Sequence, residues 1–172
     1  MENCFSNLKV VLVEPQGSLN VGSIARLCAN FDVNELRIVT PRCDIKSLEA
    51  KKMALKGQKF LNDCKVFNNL QEAIFDCDLV LASCGRVEIG KDSSFDLPED
   101  ISRWIRSINK VNNLAVLFGR EDRGLTNHEL LFAHRIFAIP TSKSYPSLNI
   151  SHAVAVILYE LKKSSKNIPK KD

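Results

Sequence analysis

Short apolar runs alternate along this chain with longer stretches in which apolar residues recur at helical spacing. The runs typical of strands occupy residues 9–13, 36–39, 65–67, 78–83, 114–118 and 135–139. Helical spacing predicts helices at residues 20–31, 48–55, 70–77, 98–108, 126–129 and 150–161. Pro98 is placed to open one of these helices, and Thr126 with Glu129 forms a capping-box pattern. About six strands alternating with helices indicate an α/β fold with a mostly parallel sheet covered by helices on both faces.

The pattern predicts one domain, residues 1–161, followed by a Lys-rich tail at residues 162–172. A chain of 172 residues is long enough for one sizeable core. No repeat, low-complexity segment or change in composition marks a second domain. The tail is interpreted as a solvated, frayed terminus. The polar residues 89–96 are the segment most typical of a flexible loop.

Composition and charge narrow the function only slightly. The chain is 45% hydrophobic and 26% charged, which is typical of a soluble globular protein. Its net charge of +4 permits an anionic partner such as RNA but does not require one. No apolar run approaches the ~18 residues of a membrane helix, and the first residues do not resemble a signal peptide. We therefore expect no membrane partner and a cytoplasmic location, although an organelle protein without its transit peptide would look the same.

The cysteines give no sign of a metal site or of a disulfide framework. They show no C-x-x-C pair and no neighbouring histidine at ligand spacing. The six are Cys4, Cys28, Cys43, Cys64, Cys77 and Cys84. We expect reduced, mostly buried thiols and no bound metal.

A first candidate segment, Asn20-Val-Gly-Ser-Ile-Ala-Arg26, opens the first predicted helix. Asn20 and Arg26 are nearly two helical turns apart and could point toward a common side. Gly22 would allow another backbone or a ligand to approach closely. The alternative is equally open: Asn20 is a helix cap, Gly22 a packing residue and Arg26 a solvent-facing charge.

Two further segments follow predicted strands. Leu117-Phe-Gly-Arg-Glu-Asp-Arg-Gly-Leu125 breaks an apolar strand into a charged turn. It is not a P-loop, and taken alone it is more typical of a surface turn whose charges neutralise each other. The Ser/Pro-rich residues 141–147 join the last strand to the last helix, at the strand end where open α/β sheets bind ligands. An ordinary connection is the alternative there.

In this order, the three segments resemble the signature motifs of the SpoU/TrmH family of RNA ribose 2'-O-methyltransferases, in the SPOUT superfamily. The resemblance extends from residue 9 to residue 160. N-x-G-x-x-x-R, F-G-x-E-x-x-G-L and S-L-N are matched by Asn20, Gly22, Arg26, Phe118, Gly119, Glu121, Gly124, Leu125, Ser147, Leu148 and Asn149. Residues 83–86, Thr126-Asn127 and the Tyr145-Pro-Ser-Leu-Asn149 run look most like the bacterial tRNA methyltransferase that acts on nucleotide 32 of the anticodon loop.

The resemblance implies a SPOUT fold with a C-terminal trefoil knot whose loops bind S-adenosylmethionine. The cofactor contacts that it implies are Ser83, Cys84, Gly85, Gly119, Ile139, Pro146, Ser147 and Leu148. It also implies a homodimer in which Arg26 of one subunit works beside the cofactor of the other. Val156 and Tyr159 of the last helix and Leu27 of the first lie outside the core stripes, which favours burial of a second face.

The resemblance also suggests how the catalytic residues divide the work. Arg26 is a poor general base because its pKa exceeds ~12, but its guanidinium can clamp a phosphate and stabilise a developing alkoxide. Glu121 is expected to orient Arg26 or Asn20 rather than remove the proton. Asn149 is either a helix cap or a ribose contact, and the sequence does not separate these roles. No metal is needed, because the sulfonium is itself the electrophile.

The RNA substrate stays open. The enzyme acting on nucleotide 32 carries a C-terminal extension beyond its catalytic domain, whereas the sequence here ends at Asp172. Ribosomal RNA or another tRNA position is an alternative substrate. A catalytically silent RNA-binding module is a second alternative, although Arg26 and Asn149 are both present. A nicotinamide-dependent Rossmann enzyme is disfavoured, because the first strand is not followed by G-x-G-x-x-G.

Overall fold

The computed structural model describes residues 5–85, 95–108 and 110–164, and in these residues the expected α/β fold is confirmed. Six parallel strands form one sheet in the order β3-β2-β1-β5-β4-β6. The strands are β1 (Phe5–Val13), β2 (Glu35–Val39), β3 (Lys65–Phe67), β4 (Leu79–Ser83), β5 (Val111–Phe118) and β6 (Arg135–Phe137). The central strands are apolar on both faces because helices cover both sides of the sheet.

The helices agree with the predicted ones except for one short addition. They are α1 (Ser18–Asn30), α2 (Leu48–Ala54), α3 (Gln58–Asp63), α4 (Leu70–Ile74), α5 (Pro98–Ser107), α6 (Asn127–Leu130) and α7 (Ile150–Ser164). A single 3₁₀ turn, Leu55–Gly57, joins α2 to α3. The spacing of apolar residues did not predict α3, because its six residues bury only Phe60 and Leu61. That is too few to define a helical period.

The larger core lies on the face of the sheet covered by α1, α2, α3, α5 and α7. Helix α1 lies at its centre and packs against α2, α3 and α7, while α5 packs against α7. Each helix turns its apolar stripe toward the strands. The side chains that α1 and α7 bury there are Val21, Ile24, Ala25, Cys28, Ile150, Ala153, Val154, Ile157, Leu158 and Leu161. The two helices that carry Arg26 and Asn149 are therefore fixed to the same core.

The opposite face has a smaller apolar core, with α4 and α6 contributing to its cover. It also buries two cations, Lys9 and Arg37, which are only 5% and 4% exposed. Both contact the carboxylate of Asp76: Lys9 Nζ lies 2.7 Å from Oδ2, and Arg37 Nη1 lies 2.6 Å from Oδ1. These hydrogen bonds keep the pKa of Asp76 well below its usual range, and the one from Arg37 has the largest effect.

Two predictions, the frayed tail and the flexible loop, need correction where the structure describes them. Helix α7 extends to Ser164, so Lys162 and Lys163 belong to a helix rather than to a frayed tail, and Lys162 pairs with Asp32. The remaining tail residues, 165–172, lie outside the described residues. Most of the predicted flexible loop, residues 89–94, also lies outside them. Its last residue, Asp96, forms an isolated parallel β-bridge to Phe137 of β6.

The cysteines are less buried than expected. The five in the described part of the chain are free thiols, and only Cys28 is buried. Burial raises its pKa well above the usual range. Cys4 lies outside the described residues. No helix in the described ranges is long and apolar enough to cross a membrane. The trefoil knot remains a prediction from the resemblance.

Candidate active site

The three candidate segments meet at the carboxyl edge of the sheet. Strands β1, β5, β4 and β6 are neighbours in that order, and all of them run in the same direction. The residues after β1 lead into α1, those after β5 form the charged turn, and those after β6 lead into α7. In a parallel sheet these connections all leave from one edge, which is where such folds bind ligands.

Glu121 joins the charged turn to the beginning of α1. Its Oε2 accepts a hydrogen bond from the backbone N–H of Gln16 (2.9 Å), and its Oε1 accepts one from that of Gly17 (3.0 Å). Oε1 also accepts from Nδ2 of Asn20 at 3.2 Å. The first turn of α1 has no acidic residue, and its N-cap, Gly17, has no side chain. Glu121 therefore supplies the negative charge that a helix N-terminus favours.

Asn149 continues this network from α1 to α7. Its Nδ2 donates a hydrogen bond to Oδ1 of Asn20 at 3.0 Å. Its Oδ1 accepts two hydrogen bonds from Ser151, one from the backbone N–H (2.8 Å) and one from Oγ (2.7 Å). Asn149 is therefore the N-cap of α7, and its other amide atom binds Asn20. Three of the four predicted catalytic residues thus form one hydrogen-bonded chain, from Glu121 through Asn20 to Asn149.

Arg26 lies outside that chain. Its side chain is exposed, and within the described part of the molecule it makes no hydrogen bond or ion pair. Of the two partners expected for Glu121, the structure gives Asn20 and not Arg26. The backbone of Arg26 is held tightly: a Cβ on Gly57 would lie 2.7 Å from its Cα. A fixed backbone with an unpaired guanidinium suits an anion supplied from outside the chain.

Gly22 proves to be a packing residue. A Cβ at this position would lie 2.3 Å from the carbonyl oxygen of Ala50 and 2.8 Å from Cβ of Met53. Both atoms belong to α2. The close approach that Gly22 permits is therefore that of a second helix backbone.

The charged turn after β5 is not the self-neutralising surface turn that its sequence suggests. Its Arg120 is only 8% exposed. The guanidinium makes two hydrogen bonds to the carboxylate of Glu129 (2.9 and 3.0 Å), and its Nε donates to Glu14 at 3.1 Å. The buried Arg120 therefore connects this turn to the end of β1 through Glu14, and to α6 through Glu129.

These contacts lower the pKa of both carboxyl groups. For Glu14, the hydrogen bond from Arg120 is the main cause, and the pKa falls to about 2. For Glu129, burial raises the pKa, but the hydrogen bonds from Arg120 and Thr126 outweigh it and the pKa is lowered. The same ion pairs keep the pKa of Arg120 above its usual range. All three groups are charged at neutral pH.

Gly119 and Gly124 shape the turn that carries Glu121. The backbone N–H of Arg120 donates to the carbonyl of Gly124, and that of Gly124 donates back to Arg120. Gly124 has a φ of +67°, which favours glycine, and a Cβ on Gly119 would lie 2.1 Å from the carbonyl carbon of Gly124. The implied cofactor contact at Gly119 thus has a structural reason for its glycine as well.

The other predicted cofactor residues lie at the ends of the neighbouring strands β4 and β6. Ser83 ends β4, and the N–H of Cys84 donates to the carbonyl of Phe137 in β6. A Cβ on Gly85 would meet no atom of the described residues within 4 Å. Ile139 follows β6 and is half-buried.

The loop before α7 completes this region. Oγ1 of Thr141 donates to the carbonyl of Pro146 at 2.8 Å, which closes the loop. Residues 140–149 are all exposed, including Pro146, Ser147 and Leu148. An exposed loop, and a Gly85 with no described atom within 4 Å of its Cβ position, fit a cofactor that is bound mainly through backbone contacts. The residues present therefore fit S-adenosylmethionine.

Four residues of this region were not predicted as functional: Glu14, Arg120, Glu129 and Ser151. Glu129 carried a visible signal in its capping box with Thr126, which the structure confirms. Arg120 carried none, because its partner Glu14 is 106 positions away in the sequence.

A profile of the SpoU rRNA Methylase family matches residues 7–159. The chain belongs to this family. A SpoU relative, the tRNA (cytidine-2'-O-)-methyltransferase TrmJ of Methanocaldococcus jannaschii, is 42% identical over 90% of the chain and 66% of its own length. The TrmJ of Sulfolobus acidocaldarius is 39% identical over 93% of the chain and 67% of its own length.

Solved SpoU structures agree with the fold. The crystal structure of TrmJ from Z. mobilis ZM4 superposes with a TM-score of 0.83 at 30% identity, over 96% of this chain and 73% of that one. The chain spans about two thirds of the length of the two TrmJ relatives from M. jannaschii and S. acidocaldarius. The match to the family profile, over residues 7–159, includes all three candidate segments.

Proposed function

We propose that this chain transfers a methyl group from S-adenosylmethionine to a ribose 2'-hydroxyl of RNA. The observation that carries this proposal is the hydrogen-bonded chain from Glu121 through Asn20 to Asn149. It unites one polar residue from each of the three family motifs, at the sheet edge where such folds bind ligands. Membership of the SpoU rRNA Methylase family supports the same reaction.

We further propose tRNA as the substrate. The two relatives that are 42% and 39% identical are tRNA (cytidine-2'-O-)-methyltransferases. Nucleotide 32 of the anticodon loop, expected from the resemblance in sequence, is the position that we propose, and the cytoplasm is the location. The relatives extend beyond the matched region, so the contacts that select one nucleotide can lie outside it.

The residues divide into a cofactor group and a substrate group. The proposed cofactor contacts are Ser83, Cys84, Gly85, Gly119, Ile139, Pro146, Ser147 and Leu148. When bound, S-adenosylmethionine supplies a methyl group on a positively charged sulfur. The ribose 2'-oxygen would bond to that methyl carbon as the carbon–sulfur bond breaks and its electron pair stays on sulfur, and the hydroxyl proton would pass to water. Holding the oxygen and the methyl carbon in line accounts for much of the rate gain.

We assign Arg26 to the RNA phosphate and to the developing charge on the 2'-oxygen. Its guanidinium is exposed and has no partner among the described residues, so binding an anion breaks no existing ion pair. Asn20 and Asn149 are positioning residues that relate α1 to the cofactor loop. Glu121 is fully engaged by Gln16, Gly17 and Asn20, which argues against a role as general base.

We also propose that the active unit is a two-fold dimer built on α1 and α7. These helices pack on each other, yet Leu19 is 53% exposed and Tyr159 is 54% exposed. A second copy would cover these apolar side chains and bring Arg26 to the partner's cofactor loop. Light scattering at micromolar concentration tests this: we expect twice the 19.3 kDa of one chain. A mass of one chain would overturn the shared site.

The reaction is tested with S-adenosylmethionine labelled in its methyl group. The protein is incubated with unfractionated tRNA and, separately, with ribosomal RNA, and the RNA is digested to nucleosides. We expect label in a 2'-O-methylated nucleoside from the tRNA. Label only from ribosomal RNA would retain the reaction and change the substrate. Calorimetry that detects cofactor binding with no transfer to either RNA would favour a silent RNA-binding module instead.

A further inference from the structure

Within residues 1–161, the excess of positive charge is concentrated in one segment. Residues 42–65 contain seven lysines and arginines but only three acidic residues. The Lys-rich tail, residues 162–172, carries a second excess of four, so the rest of the chain has a net charge of −4. The segment includes α2, the 3₁₀ turn and α3, which are the elements that pack on α1.

Four lysines of this segment lack a partner that would neutralise them. Lys51, Lys52, Lys56 and Lys59 are all exposed, and among the described residues their ammonium groups make no hydrogen bond or ion pair. Lys59 only contacts an aromatic ring, with its Nζ 5.1 Å from the centre of Phe60. By contrast, Arg42 and Lys65 at the ends of the segment pair with Glu14 and Glu35. We call Lys51, Lys52, Lys56 and Lys59 the lysine surface.

Two glycines fix the lysine surface beside the candidate site. Gly22 of α1 admits the backbone of α2 at Ala50, and Gly57 admits the backbone of α1 at Arg26. Neither contact leaves space for a Cβ, so these elements are packed backbone against backbone. Lys56 therefore comes directly before a residue that touches Arg26. The unpaired lysines and the unpaired arginine belong to one rigid part of the molecule.

Unpaired like charges on rigid neighbouring elements repel each other. A bound polyanion would neutralise these charges and so remove the repulsion. RNA presents one phosphate per nucleotide, and lysines bind phosphates as flexible point charges without reading the bases. We propose that the lysine surface binds the phosphate backbone of the RNA strand that delivers its ribose to Arg26. This inference rests on the proposed function, and it names the surface that holds the substrate outside the reaction centre.

The proposal predicts a specific dependence on salt. Each phosphate contact releases condensed counterions, so the logarithm of the affinity falls linearly with the logarithm of the salt concentration. The slope is about −0.7 per contact for a single strand and about −0.9 for a duplex. Removing three contacts is therefore expected to reduce the slope by about 2 to 3, whatever the sequence of the RNA.

The test compares two charge-matched triple variants of the chain. The first, K51Q/K52Q/K56Q, removes three charges from the lysine surface. The control, R103Q/R106Q/K110Q, removes three exposed charges on and after α5, which packs against α7 and β6 rather than α1. Binding of an unmodified tRNA transcript is measured by fluorescence anisotropy at several salt concentrations. Calorimetry with S-adenosylmethionine verifies that each variant is folded.

We expect K51Q/K52Q/K56Q to bind the transcript about 10-fold to 100-fold more weakly at low salt, with the reduced slope and unchanged cofactor affinity. The control is expected to keep a slope close to that of the parent. Equal slopes for the parent and both variants would overturn the lysine surface while leaving the methyltransferase proposal intact. A parent chain that binds neither tRNA nor ribosomal RNA and methylates neither would overturn both proposals.

Discussion

Asn149 binds Asn20 through a single amide hydrogen bond of 3.0 Å, and the same side chain caps α7. The two contacts use different atoms: Nδ2 donates to Asn20, and Oδ1 accepts from Ser151. The two roles that the sequence left open for this residue can therefore be separated by substitution.

Asn149→Asp is expected to keep the cap and lose the contact with Asn20, because a carboxylate accepts but does not donate. Aspartate caps helices about as well as asparagine, so the free energy of unfolding should change by less than about 0.5 kcal/mol. Methyl transfer to RNA should fall. Asn149→Ala, which loses both contacts, is the comparison and should cost about 1 kcal/mol of stability. Full activity in Asn149→Asp would show that methyl transfer does not need the contact between Asn149 and Asn20.

Glu121→Gln is expected to destabilise the chain by about 2 kcal/mol. The amide group of glutamine offers one acceptor oxygen in place of two, so at least one of the three donors now bound by Glu121 loses its partner. Asp122→Asn, at the exposed neighbouring position, is the control and should change stability by less than about 0.5 kcal/mol. Urea denaturation measures both. Equal effects would mean that Glu121 does not cap α1.

Arg26→Ala should abolish most methyl transfer and leave the affinity for S-adenosylmethionine unchanged. An interaction used mainly in the transition state lowers kcat rather than cofactor binding, and loss of one charge-stabilising donor costs about 100-fold or more. Single-turnover transfer and calorimetry measure the two quantities. Activity within a few-fold of the parent would make Arg26 an ordinary surface residue.

Gly22→Ala should destabilise the chain, although alanine is the better helix former by about 1 kcal/mol. The new Cβ would lie 2.3 Å from the carbonyl oxygen of Ala50, so α1 and α2 must separate, at a cost of about 1–3 kcal/mol. Ser23→Ala, at the next position in α1, is the control for helix propensity. A more stable Gly22→Ala variant would contradict the close packing of α1 on α2.

Stability should fall in acid because of the ion pairs of Arg120. The pKa of Glu14 is lowered from 4.5 to about 2, so its contribution to stability is present above pH 4.5. It is lost progressively as the pH falls from 4.5 through about 2, because over that range the unfolded state binds a proton that the folded state does not. In Glu14→Gln, the free energy of unfolding should depend less steeply on pH between these values. Identical pH profiles would show that this ion pair adds no stability.

The sequence predicted the architecture well because its signals are local. Buried parallel strands are apolar throughout, and α7 shows its stripe over fifteen residues. The start of α1 was misplaced by two residues because its first turn is capped by Glu121, which is 104 positions from Gly17 in the sequence. The burial of Arg120 was missed for the same reason. Side chains that take distant partners leave no periodic trace.

The position of β1 in the sheet has a consequence for how the chain is made. Strand β1 is synthesised first, yet it lies between β2 and β5 in the sheet. Its Leu12, for example, pairs with Phe118 of β5. A growing chain can pair β1 with β2 early, but the other edge of β1 stays open until about a hundred more residues have left the ribosome. Until then Glu121 does not exist, and α1 lacks its cap. The candidate active site is consequently a late product of folding, in a topology whose long-range parallel pairing is intrinsically slow.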